Sequence, residues 1–166
     1  MDEPAARPFR VLTGVLVLLV VLLGAAVVFL RGQDLAEQAR ADDRQAALDA
    51  AGAHAINLIS LDYKTVDADV GRILATSTGV AKEEYTANAG KLKSTTLKNK
   101  VVQHGVLRAT GLVSMTEATA RVLVVADVEI RWDGSKTLKR ERFYRWSMDV
   151  AKEKGVWLVS RAVQVV

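Results

Sequence analysis

Asp62, Asp67 and Asp69 are the first residues to weigh for chemistry, because carboxylates close together hold hard cations or run acid/base steps. Asp67 and Asp69 fall in the first turn of a predicted helix. There the helix dipole accounts for negative charge, so no metal is expected. His54 and His104 are the only histidines, and neither has a second ligand at metal-binding spacing. His54 reads as a polar contact on a helix, and His104 as a strand residue facing water or a neighbour. An isomerase-like pocket needs a tyrosine and acids converging on one substrate, and Tyr63, Tyr85, Tyr144, Asp127 and Asp149 are available for it. Their spacing selects none of them. Cysteine is absent, which removes disulfides, thiolate metal sites and thiol nucleophiles. No catalytic residue and no cofactor is expected, and the chain is read as a non-enzyme.

The sharper signal is basic. Lys136, Lys139, Arg140, Arg142 and Arg145 lie within one predicted hairpin beside Phe143, Tyr144 and Trp146. Such a set fits nucleic acid, anionic headgroups or an acidic partner, while its bland explanation is a solvated strand whose charges oppose edge pairing. A domain outside the membrane meets no nucleic acid, so the solvated strand is the leading reading and contact with a partner or with headgroups is the functional alternative.

These residues must be held by a modest domain. From Asp34 onward strong helix formers carry an apolar stripe at Leu48, Ala51, Ala55, Leu58 and Ile59, the spacing of a helix buried on one face. The second helix is expected from Thr65, as its cap, to Gly79, with Val66, Val70, Ile73 and Leu74 buried. The third spans about Val80 to Asn99, with Ala81, Tyr85, Ala89 and Leu92 on one face and an interior glycine at Gly90. Thereafter the period changes to two. Strands are expected over 101–114, 120–132, 138–151 and 156–166, with turn signals at Asp133-Gly134 and Lys154-Gly155. In the second strand Ala120, Val122, Val124, Ala126, Val128, Ile130 and Trp132 share one face, while Leu123 and Val125 interrupt an otherwise polar opposite face. Three helices and a four-stranded antiparallel curved sheet make an α+β domain.

Ahead of the domain, Val11 to Leu30 runs without a charge, and about twenty helical residues cross roughly 30 Å of hydrocarbon. The expected organisation is a cytoplasmic tail at 1–10, a transmembrane helix at 11–30, a solvated helical stalk at 31–47 and the α+β domain at 48–166. Arg7 and Arg10 before the run nearly balance Arg31, Arg40 and Arg44 after it, so charge bias does not orient it. The short tail before the run and the large domain after it favour a single-pass arrangement with the domain outside.

LDYKTVDAD followed by the TSTG helix end, with KNKVVQHGVLRATGLVS, ARVLVVADVEIRWDG and GVWLVSRAVQVV, resembles the mammalian-cell-entry-associated (Mce-associated) membrane proteins of actinobacteria. The resemblance implies a cone-shaped domain similar to nuclear transport factor two, serving envelope machinery that imports lipids or sterols. It implies no catalytic residues. Three roles follow: an accessory or scaffold subunit of such a system, bound to the bilayer and to Mce-type subunits; a module holding an apolar ligand in the cone; or an isomerase-like enzyme. A cone filled by Trp132, Trp146 and Met148 argues against the second, and the first is preferred.

Overall fold

A computed structural model of the chain describes residues 6–136 and 139–165. Its elements are α1 (Ala6–Ile59), α2 (Val66–Ala75), α3 (Gly79–Lys98), β1 (Val101–Met115), β2 (Thr119–Trp132), β3 (Arg140–Glu153) and β4 (Val156–Gln164). The chain divides into two compact units, one ending at Asp42 and one beginning at Asp43.

In the first unit the backbone is helical, and the described side chains Leu16, Leu18 and Leu19 through Leu23 are all exposed. An α-helix apolar all round has no polar face to offer water. The expected span at 11–30 lies partly outside the described residues. Among those described, no helix is long and apolar enough to cross a membrane.

The second unit starts somewhat before the expected residue 48. The Asp43 carboxylate accepts hydrogen bonds from Lys152 Nζ at 2.6 Å and Trp157 Nε1 at 3.5 Å, and Ala47 is already fully buried. Lys152 holds the Asp43 carboxyl below the usual carboxylate range. From there Ala47, Ala51, Ala55 and Ile59 form the buried stripe of α1; Ala51, Ala55 and Ile59 are as the periodicity predicts, whereas Leu48 and Leu58 are only partly buried and Ala47, expected in the stalk, joins the core. They pack on the concave face of a sheet ordered β1-β2-β3-β4, antiparallel throughout. Two glycines permit the approach. A Cβ on Gly105 of β1 would lie 2.5 Å from Ile59 Cγ1, and one on Gly52 of α1 would lie 2.8 Å from Leu107 Cδ2. Register shifts at Arg108 and Val113 place extra residues in β1, and such bulges increase strand twist and bend the sheet around the helix.

The helical linkers close parts of both sheet edges. Beside β1, the Tyr63 N–H donates to Val101 O and the Gln103 N–H to Leu61 O. Beside β4, the Thr78 N–H donates to Val159 O and the Val159 N–H to Thr76 O. An edge strand with its ladder groups occupied no longer recruits another chain there. These edge bonds also shorten α2. It ends at Ala75, and Gly79, expected to end it, instead opens α3 with a φ of +48°. Residues 76–78 are drawn out of the helix to pair with β4.

Candidate interaction surface

Between helices and sheet the described side chains form one buried apolar cluster. Trp146, Met148, Val150, Trp157 and Val159 are buried with the alanine stripe of α1, and Tyr144 stacks on Trp146 with ring centroids 4.9 Å apart. The tyrosines and acids that could have built an isomerase site do not converge. Tyr63 donates its hydroxyl hydrogen bond to Asp133, while Tyr85 lies against His54. Asp127 pairs with Arg108, and Asp149 with Arg121 at 2.7 Å, both on the opposite face of the sheet.

The buried polar groups are satisfied by their neighbours. Thr76 Oγ1 lies within donating distance of the Arg72 and Ile73 carbonyls, which leaves it to accept from His54 Nδ1–H at 2.8 Å. His54 Nε2 then accepts from the Tyr85 hydroxyl at 3.4 Å. Burial pushes the His54 pKa down to about 4, so the ring is neutral at neutral pH. The same burial raises that of Tyr85. Asp69, expected to serve the helix dipole, is buried and engaged by side-chain and backbone partners. Its carboxylate accepts from the Asp62 N–H at 2.8 Å, the Thr65 hydroxyl at 3.1 Å and Arg72 at 2.6 Å. Thr65 occupies the N-cap but gives its side chain to Asp69 instead of capping. Asp67 remains exposed and pairs with Lys93. These contacts staple the 60–65 loop to α2. Among the described residues no group of three or more potential ligands is placed to hold a metal.

What the fold leaves open is the convex face of the sheet. Pairing aligns Val106, Asp127 and Phe143 across β1, β2 and β3, then Ala109, Val125 and Arg145, then Gly111, Leu123, Ser147 and, on β4, Val163. Phe143 is 71% exposed, Leu123 47% and Val163 45%. A pocket of about 240 Å³ lies beside Phe143, with His104, Val106, Arg108 and Glu141 among its walls. Charged pairs frame the apolar row: Arg108–Asp127, Arg121–Asp149 and Lys139–Glu129. The Lys139 ammonium holds the Glu129 carboxyl below its usual range, and Glu129 raises Lys139 in return. A large apolar side chain left in water amid polar rims marks a contact surface. The interruption of the polar face of β2 by Leu123 and Val125 is the sequence signal for this surface; Phe143 alone does not reveal it.

The basic cluster is not one surface. Lys139 and Arg145 lie on the convex side, whereas Arg140 and Arg142 have the parity of Tyr144 and Trp146 and stand beyond the helices' cover, with Arg140 5.7 Å over the Trp132 ring. Lys136 is exposed in the preceding turn.

Comparison with known proteins agrees with this architecture. The periplasmic domain of DotI superimposes with a TM-score of 0.59 at 13% identity, over 71% of this chain and 91% of that one. CagV, a VirB8 homolog of a type IV secretion system from Helicobacter pylori, gives 0.59 at 6% identity, over 73% and 97%. At such identities the likeness is one of fold, an α+β layout of the VirB8-like and nuclear-transport-factor-like kind. In sequence, uncharacterized protein Rv1363c of Mycobacterium tuberculosis strain H37Rv is 31% identical over 151 residues, or 85% of this chain. The chain spans 58% of that relative's length. The family described as uncharacterized protein Rv1363c/MT1408-like matches residues 9–166, and the chain belongs to that family.

Proposed function

We propose that the protein is a single-pass, membrane-anchored accessory or scaffold subunit of an Mce-type lipid or sterol import system, with its domain on the extracytoplasmic side and no enzymatic activity. The observation that carries this is the convex sheet face, where Phe143, Leu123, Val125 and Val106 stay in water while the concave side is closed over a buried apolar core. Exposed aromatic anchors of this kind dominate the energy of protein contacts. The uncharged run Val11–Leu30 supports the anchor. Similarity in fold to the periplasmic domain of DotI supports the orientation, and the Mce assignment rests on the residues quoted from the sequence. Burial of Trp146 and Met148 in the core supports this reading over one in which the cone holds an apolar ligand.

The test is affinity purification of the full chain from detergent-solubilised membranes. Mce-type permease or substrate-binding subunits are expected with the wild type, and a Leu123→Ser/Phe143→Ser variant should lose them with an unchanged melting temperature. Equal recovery with the folded variant, or no such subunit at all, overturns the proposal. Protease added to intact spheroplasts should remove the domain; protection reverses the topology.

A further inference from the structure

Two turns meet at the end of the sheet remote from Asp43. Lys98, Asn99 and Lys100 form the first, between α3 and β1, and Trp132 to Ser135 the second, between β2 and β3. They enclose an open groove of about 590 Å³, whose charged lining groups are Lys98, Lys100, Arg140 and Asp133. The Asp133 N–H donates to Lys100 O at 2.9 Å, which ties the two turns together, and the Ser135 N–H donates to Trp132 O at 3.1 Å within the second.

Across the described domain some cations meet carboxylates and others, Lys82, Lys91, Arg142, Arg145, Lys154 and Arg161 among them, do not; the groove gathers three of the second kind. Arg72, Lys93, Arg108, Arg121, Lys139 and Lys152 each meet a carboxylate. Among the described residues, Lys98, Lys100 and Arg140 form no ion pair. Asp133, the only lining carboxylate, is engaged by the Tyr63 hydroxyl. That bond, followed by Lys64 and neighbouring groups, holds its carboxyl low and keeps it ionised. Three cations against one carboxylate leave the groove with two unmatched positive charges. Lys100 also sits at a φ of +46°, a left-handed conformation in which a side chain is strained and glycine is not. Lys100 directly follows the C-cap of α3, where a left-handed residue ends the helix and turns its side chain out beside Lys98. Trp132 supplies an apolar wall, with the Arg140 guanidinium 5.7 Å from its ring centre.

We infer that this groove binds a phosphate-bearing anion, with Lys98, Lys100 and Arg140 supplying the charge and Trp132 the apolar wall. A guanidinium meets two phosphate oxygens at once, and the two ammonium groups add point charges. The anion is either a soluble phosphate or the headgroup of an anionic lipid, beside which an indole is well matched. The site lies away from the convex face, so its fate is independent of the scaffold proposal.

The test uses the full chain in non-ionic detergent micelles. Trp132 fluorescence is followed against inorganic phosphate at constant ionic strength, and separately against micelles doped with phosphatidylglycerol or phosphatidylcholine. Trp132→Phe identifies the signal among the three tryptophans. A saturable response is expected that weakens with added salt. Lys98→Gln and Lys100→Gly should each lower apparent affinity at least about fivefold, as loss of a charged contact does. Lys100→Gly removes the positive-φ strain, so its melting temperature should not fall, which separates lost binding from lost fold. A response to phosphatidylglycerol at concentrations where inorganic phosphate has no effect assigns a lipid headgroup, and a response to phosphate alone assigns a soluble anion. No saturable response to either, or one unchanged in both lysine variants, overturns the inference.

Discussion

Lowering the pH from 7.5 to 5.0 should destabilise the domain through His54 before the carboxylates act. The buried ring has its pKa pushed down to about 4, against about 6.5 in the unfolded chain. Between those values the unfolded state binds the extra proton, so stability is fully present above about 6.5 and is lost as the pH falls toward 4. The protonation ratio at pH 5.0 gives a loss of about 2 kcal/mol, approaching about 3 kcal/mol at pH 4. For a domain of this size that is a fall in Tm of very roughly 6–10 °C at pH 5.0. Asp43, Glu129 and Asp133 have carboxyls held low by their partners, and their stabilisation is lost chiefly at lower pH still. Scanning calorimetry of the full chain at both pH values, beside His54→Gln, provides the assay. Glutamine does not titrate, so the variant should be less stable throughout and nearly flat across this window. A wild-type Tm that does not fall, or an equal fall in the variant, refutes a buried neutral histidine.

Three further outcomes follow from the packing. Gly105→Ala should cost about 1–3 kcal/mol in chemical denaturation, because the new methyl meets Ile59 and Ser60 where α1 crosses β1. Gly90→Ala lies in the interior of α3 with open space around it and should stabilise by about 0.5–1 kcal/mol; a lower Tm contradicts that placement. Asp69→Ala should cost about 1–3 kcal/mol and speed hydrogen exchange at the Asp62 amide, since it leaves that donor and the Thr65 hydroxyl without their acceptor.

Residue periodicity alone determined the succession of elements and most of the core. A strand's side chains alternate strictly, so Ala120 to Ile130 had to share one face, and a helix buries every third or fourth residue, so Ala51, Ala55 and Ile59 had to face inward together. The uncharged run before the domain is equally a property of the sequence. What depends on residues far apart in the chain was decided only by the tertiary structure. Asp69 is buried because the 60–65 loop folds back over it, a contact that no helical pattern encodes. Gly79 opens α3 because residues 76–78 leave the helix to pair with β4, so the glycine expected as a stop became a start. The five basic residues near the β2–β3 turn looked contiguous, yet strand alternation sends Lys139 and Arg145 to one face and Arg140 and Arg142 to the other. The open groove draws on two turns more than thirty residues apart, Lys98–Lys100 and Trp132–Ser135, which meet only because β1 and β2 pair with Val101 opposite Trp132.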